Sequence, residues 1–131
     1  MNGARRVAVA IVTRDSAADL PSCFAALGRL EHRSLELILV DNSSRDGSAE
    51  LARRSAPPNL PCRVEALPEN RGYAAGMNRA IAASDAPWVL ALNPDAEPEP
   101  DFLSHLFARL DAEPGLRIAA LTGRLRRPGQ P

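Results

Sequence analysis

Lysine is absent from this 131-residue chain. All 16 basic residues are arginine, and 16 acids balance them to a formal net charge of zero. With no net field, a nucleic-acid partner has no electrostatic support. Cysteine is scarce: Cys23 and Cys62 lie far apart, and neither belongs to a C-x-x-C pair. That pattern excludes a disulfide framework and a cysteine zinc site. Both thiols are expected to be buried and inert, as suits a reducing cytoplasmic compartment. No apolar run reaches the roughly 20 residues of a membrane span. "VAVAIV" after Arg5 and Arg6 runs straight into Thr13-Arg14-Asp15, without the long apolar region of a signal peptide. Internal repeats and low-complexity tracts are also missing. The turn "VTRDSAADLP" has no glycine, which sets aside a dinucleotide-binding dehydrogenase with its G-x-G-x-x-G turn. The missing lysine counts against a sugar-nucleotide pyrophosphorylase, which needs a glycine-rich, lysine-containing loop there.

What is present is ordinary globular composition, 45% apolar and 24% charged, so one compact domain over 1–131 is expected. "RVAVAIV" (6–12) and "LELILV" (35–40) are continuous apolar runs, as in strands buried on both faces. "CRVEAL" (62–67), "WVLAL" (88–92) and "RIAALT" (117–122) read as three further strands. Between them Leu20, Cys23, Phe24, Leu27 and Leu30 recur at helical spacing, with Pro21 near the helix start. A short helix follows Asp46, a good N-cap, through Arg53. Gly72–Ala83 is expected to be helical, burying Ala74, Met77 and Ile81, with Asn70 helping to cap it. Pro100 opens a last helix with Phe102, Leu103, Leu106, Phe107 and Leu110 on its apolar face. This alternation predicts an α/β fold: a Rossmann-like, mostly parallel sheet with helices on both faces.

Ligands of such sheets bind outside the carboxyl ends of the strands. That rule selects Thr13-Arg14-Asp15, Asp41-Asn42-Ser43-Ser44, Glu69-Asn70-Arg71-Gly72 and Asn93-Pro94-Asp95, all expected on one edge. Asp41 could accept hydrogen bonds from a base or ribose, or simply end a strand; the residues alone leave both open. Ser44 and Asp46 read as caps of the following helix. Gly72 permits close backbone approach, and Arg71 at a helix start can reach a phosphate oxygen. Asp95, at the tip of "WVLALNPDAEP", suits a divalent cation, since magnesium takes one or two carboxylates plus substrate phosphates. Glu97, Glu99 and Asp101 read as solvent-facing or helix-start acids. His32 and His105 have no partner at metal-ligand spacing and read as surface histidines. The "RLRRPGQP" tail reads as a solvated chain end. A receiver domain has a similar layout but wants an Asp after the third strand, where Glu69-Asn70-Arg71 stands.

Taken in order, "VTRDSAADLPSCFAAL", "ELILVDNSSRDGS", "ENRGYAAGMNRAI" and "WVLALNPDAEPEPDFL" resemble the front of family 2 glycosyltransferases. The likeness runs from about Val7 to Leu125. It is greatest to the rhamnosyltransferase-like branch, where Asn-Pro-Asp replaces the usual Asp-x-Asp. The resemblance implies an A-type glycosyltransferase fold and a nucleotide-diphosphate sugar donor, with uracil and thymine both open as the base. It further implies a divalent cation (Mg2+ or Mn2+), inverting transfer, and a saccharide or lipid-linked acceptor. Asp41 would read the base, and Asp95 would bind the metal together with ribose or diphosphate. Thr13, Arg14 and Asn42 would line the base pocket, and Asn70, Arg71 and Gly72 would lie beside the nucleotide. Asn78 of the glycine-rich helix and Asn93 would complete the donor site. Arg14-Asp15 departs from the family's usual Tyr-Asn pair. The family's acidic general-base motif has no counterpart after Gly123, so the acceptor-binding half is expected to be absent and the chain to act as a nucleotide-sugar-binding part. The same likeness leaves peripheral contact at the inner face of the cell membrane open.

Overall fold

The computed structural model describes residues 5–127 and 129. Four strands alternate with four helices: β1 (Val7–Thr13), α1 (Leu20–Gly28), β2 (Leu35–Asp41), α2 (Ser48–Ser55), β3 (Cys62–Ala66), α3 (Tyr73–Ala82), β4 (Trp88–Leu92) and α4 (Phe102–Asp111). The strands form one sheet in the order β3-β2-β1-β4, and every pairing is parallel. All four therefore end on the same edge.

β1 is central, and all seven of its residues are buried. Alternate residues face opposite layers, as a two-residue period requires. Val9, Ile11, Leu37, Leu39 and Leu92 meet Phe24 and Leu27 of α1, Ala52 of α2 and Leu103 of α4. On the other face Ala10, Val12, Ile38 and Val40 meet Met77 and Ala80 of α3. Each fully buried Leu or Ile in these layers contributes roughly 1.5–3 kcal/mol by leaving water. Pro21 sits in the first turn of α1, where its missing N–H has no helical partner to lose.

α3 lies close to the sheet because Gly76 has no side chain: a Cβ there would stand 2.8 Å from Val12 Cγ1. The helix covers β1 and β2. β4 is left open on that face, with Val89 41% exposed and Ala91 exposed too. α3 buries Gly76, Met77 and Ala80, whereas the expected Ala74 and Ile81 are exposed. The helix is turned toward its smallest residues, which permit the closest approach.

The expected fifth strand is not formed. Residues 117–122 are irregular, Leu125 is 93% exposed, and the sheet of the described residues has four strands. An apolar run becomes a strand only where a neighbour completes its backbone hydrogen bonds, and 117–122 has no such neighbour here. Two smaller expectations also change. Cys62 is exposed because it opens the edge strand β3, while Cys23 is buried as expected. His32 is half-buried, its Nε2 2.6 Å from the Arg5 carbonyl oxygen and its ring beside Phe107. The 124–131 tail lies partly outside the described residues. No helix of those residues is long and apolar enough to cross a membrane.

Candidate functional site

The site grows from the ends of β1 and β2. Thr13 and Asp41 are the last residues of these strands and stand opposite one another in register. Both are nearly inaccessible, Thr13 at 0% and Asp41 at 3%. Asp41 Oδ2 accepts the Ser44 backbone N–H at 3.0 Å. Its Oδ1 has no partner among the described residues, and neither has Thr13 Oγ1. Leaving a buried polar atom unpaired costs about 1–3 kcal/mol, more for a charged one. The two atoms stand on adjacent strands, one an acceptor and the other able to donate.

Asn42, 3% exposed, ties this point to the next loop. Its backbone N–H donates to Thr13 O at 2.8 Å. Its Oδ1 accepts from Arg71 N–H at 2.9 Å, and its Nδ2 donates to Gly72 O at 3.0 Å. One Nδ2–H and one Oδ1 lone pair are engaged in holding the β3–α3 loop, so Asn42 braces the edge. Asn70 Oδ1 accepts the Gly72 N–H at 2.9 Å, and Gly72, with φ of 84°, precedes the first residue of α3. A residue with a Cβ would be strained there.

The remaining candidates are spread around this edge. Arg14 is exposed and donates from Nη1 to Asn42 O at 3.1 Å. The Arg71 guanidinium is exposed and pairs with Glu69 at 3.0 Å. Beside it runs an open groove of ≈ 390 Å³ lined by Leu67, Pro68, Arg71 and Ala75. Asn78 is exposed in the middle of α3.

Asn93 and Asp95 are exposed in the turn after β4, which closes with Ala96 N–H on Asn93 O at 3.1 Å. Beneath it lies Cys23, its thiol pushed up to about 12 by burial and then by the charges of Asp95 and Glu97. That thiol is inert. The described residues contain no group of three or more His, Cys, Asp or Glu able to hold a metal by themselves. Asp95 joins none of their ion pairs. One free carboxylate fits a cation whose other positions are filled by phosphate oxygens and water.

The contacts hardest to foresee join the β1–α1 loop to the β2–α2 loop. Ser44 Oγ accepts the Asp15 N–H at 2.8 Å, and Asp15 Oδ1 accepts the Arg45 N–H at 2.7 Å. Ser44 therefore braces across loops, where a helix cap was expected. Asp46 does both: Oδ1 takes the Ser48 N–H, and Oδ2 takes the Ala17 N–H at 2.9 Å. Gly47, not Asp46, is the residue before α2. Asp15 and Ser43 have φ of 50° and 63°, left-handed conformations that cost on the order of 1–3 kcal/mol each outside glycine. The only sequence signal was the crowding of Asp and Ser in both loops, joined by Asn42 in the second, residues that favour such turns.

Comparison with known proteins supplies the wider context. The mannosyltransferase PcManGT of Pyrobaculum calidifontis, solved with GDP-Man and Mn2+, superposes with a TM-score of 0.75 at 28% identity, over 80% of this chain and 32% of that one. S. aureus TarS, solved with UDP-GlcNAc, gives a TM-score of 0.75 at 20% identity, over 82% of this chain and 32% of that one. The four-stranded parallel sheet with its helices is thus an A-type glycosyltransferase fold. In sequence the chain is 34% identical over 85 residues to the succinoglycan biosynthesis protein ExoU of Rhizobium meliloti (strain 1021), covering 65% of this chain and 25% of that protein. ExoO of the same organism is 34% identical over 86 residues, 66% of this chain and 24% of the relative. The chain thus spans about a quarter of the length of these curated relatives. The profile described as "Glycosyl transferase family 2" matches residues 8–125, nearly everything built above, and the chain belongs to that family.

Proposed function

We propose that this chain forms the donor-binding part of an inverting glycosyltransferase that takes a sugar from a nucleotide diphosphate. The observation that carries the reading is the buried, unpaired pair Thr13 Oγ1 and Asp41 Oδ1 at adjacent strand ends. A nucleotide base has edges that present one donor and one acceptor side by side. Asp41 accepts the base N–H, Thr13 donates to the neighbouring acceptor, and the cost of two orphaned atoms is recovered on binding. Asn42, Asn70 and Gly72 shape the wall beside the nucleotide, and Arg14 and Arg71 lie at its rim. Asn93 and Asp95 face the diphosphate across the edge, and Asn78 belongs to the outer part of the donor site. The bound GDP-Man and Mn2+ of PcManGT support a nucleotide sugar and a divalent cation. Names in succinoglycan biosynthesis support a saccharide or lipid-linked acceptor. The Asn93-Pro94-Asp95 sequence supports a rhamnosyl donor, with UDP-sugars as the other class.

Asp95 would hold the magnesium or manganese ion, which neutralises charge growing on the departing diphosphate. Transfer also needs a base within reach of the acceptor hydroxyl. The late acids Asp111 and Glu113 are engaged elsewhere: Asp111 pairs with Arg5 ahead of β1, at the opposite end of the sheet, and Glu113 with Arg109. The 131-residue chain as a single domain is therefore proposed to bind donor without efficient transfer. Work would take place in the cytoplasm, at or near the inner face of the membrane where a lipid-linked acceptor is held.

The test is calorimetry with UDP, dTDP and GDP, with and without manganese. Asp95→Asn is expected to remove the manganese-dependent part of the affinity and leave the rest. Equal affinity in variant and parent, with manganese present, would overturn the metal role. No binding of any nucleotide by the unaltered chain would overturn the donor-site reading.

A further inference from the structure

Ser48 is fully buried at the start of α2, and its hydroxyl has two partners. It accepts the Ser16 N–H at 3.0 Å and donates to Asp46 Oδ1 at 2.5 Å. Asp46 Oδ2 accepts the next N–H along, that of Ala17, at 2.9 Å. Two consecutive backbone amides of the β1–α1 loop are thus held by Asp46 of the β2–α2 loop and Ser48 at the start of α2. Helix capping explains the Asp46 bond to Ser48 N–H. It explains neither bond to Ser16 or Ala17, which run between loops.

These bonds sit beside the two left-handed residues, Asp15 and Ser43. Such conformations persist only where surrounding contacts hold them. Asp15 lies two residues beyond Thr13, and Ser43 two beyond Asp41, so relaxation of either turn reaches the two unpaired side-chain atoms directly. We propose that Asp46 and Ser48 are positioning residues: their clasp on Ser16 and Ala17 holds the β1–α1 loop so that Thr13 and Asp41 present a ready-made edge to the nucleotide. This rests on the donor-site reading above. It adds residues that touch no ligand and act through the loop, and it explains why two buried polar atoms at adjacent strand ends stay apart rather than turning to satisfy each other.

The variant that separates clasp from cap is Asp46→Asn. A carboxamide oxygen in place of Oδ1 keeps the bond to Ser48 N–H, while an NH2 group in place of Oδ2 faces the Ala17 N–H donor to donor. Ser48→Ala is the second variant, removing the hydroxyl from Ser16 N–H and Asp46 together. Ser84→Ala is the control. Its hydroxyl donates to Glu36 and accepts the Ala86 N–H, a similar brace ahead of β4 at the other end of the sheet. UDP, dTDP and GDP affinities with manganese are measured on the 131-residue chain, alongside hydrogen exchange at Ser16 and Ala17. Asp46→Asn and Ser48→Ala are expected to speed exchange at those amides and to weaken nucleotide affinity roughly tenfold, the scale of one hydrogen bond to a charged group. Ser84→Ala is expected to leave both unchanged. Faster exchange with unchanged affinity would overturn the proposal, as would an equal loss of affinity in Ser84→Ala. Failure of the unaltered chain to bind any of the three nucleotides counts instead against the donor site itself.

Discussion

At the N-terminal end of the sheet, Arg5 lies 4.8 Å over the Phe107 ring and pairs with Asp111 at 2.5 Å. Trp88 meets the same ring edge-on at 5.6 Å, and Arg6 pairs with Asp85. At the C-terminal end, Thr13 Oγ1 and Asp41 Oδ1 are buried without partners among the described residues, between loops that carry two left-handed non-glycine residues. The strands are the same and the finish is opposite. One end satisfies its polar groups and locks the termini of the elements. The other spends stability on strain and unpaired atoms, as binding sites do. Within one sheet, the two ends thus differ in how far their buried polar groups are satisfied.

The comparison breaks most severely if α3 is pushed off the sheet next to Thr13. Gly76→Val would drive its side chain into Val12, which has no room to retreat in the buried layer. The expected loss is about 1–3 kcal/mol of stability, the usual cost of overpacking, read from a denaturant midpoint. Because Val12 precedes Thr13, nucleotide affinity should fall as well. Full stability in this variant would show that the close approach of α3 is not needed.

Asp41→Ala sharpens the contrast from the other side. Affinity for the preferred nucleotide diphosphate should drop by about 1–3 kcal/mol, and the loss should persist without metal. Stability should change little, because loss of the Oδ2 bond to the Ser44 N–H is offset by removing a buried oxygen that was unpaired from the start. A stability loss as large as the binding loss would make Asp41 structural. At the satisfied end the expectation reverses. Arg5→Ala removes a ring contact and a partly exposed ion pair, and should cost about 1 kcal/mol of stability with nucleotide affinity unchanged. Weakened binding in Arg5→Ala would mean that the two ends are coupled.

Much of this was legible in the sequence because the strands are short, apolar and parallel. Four runs and their intervening helices could be read from period alone, and the rule about strand ends then led to Thr13, Asp41 and Asp95. What could not be read was whatever depends on a neighbour. Residues 117–122 have a strand's composition, but a strand exists only by pairing. Ile81 looks like a core residue until Gly76 turns the helix face toward Val12. The sequence offers no sign that the Asn42 amide reaches both Arg71 and Gly72 and so ties two loops together. Ser44, Asp46 and Ser48 have the chemistry of caps, and only the folded loops show that they also reach across to Asp15, Ser16 and Ala17.

The smallest expected effect distinguishes how the two ends hold their acids. The Arg6 guanidinium beside Asp85 holds its carboxyl below the usual range, by hydrogen bond first and charge second. Asp46 is held low without a cation, first by the Ser48 hydroxyl and then by the Ala17 N–H. Each folded-state value lies below the unfolded one. Each group therefore stabilises the fold fully above the ordinary carboxylate value of about 4, and loses that contribution as pH falls through its depressed folded value. Salt separates them, because at about 1 M the screening length shrinks to roughly 3 Å. Thermal midpoints followed from neutral pH into acid should show Asp85→Ala flattening the acid limb at low salt and flattening it less at high salt, where the charge part of the pairing is screened and the hydrogen bond remains. Asp46→Asn should flatten it similarly at both, since hydrogen bonds to neutral donors are not screened. If the Asp46 contribution fades with salt as the Asp85 contribution does, a cation is holding it, and the contrast between an ion-paired end and a hydrogen-bonded end fails at that residue.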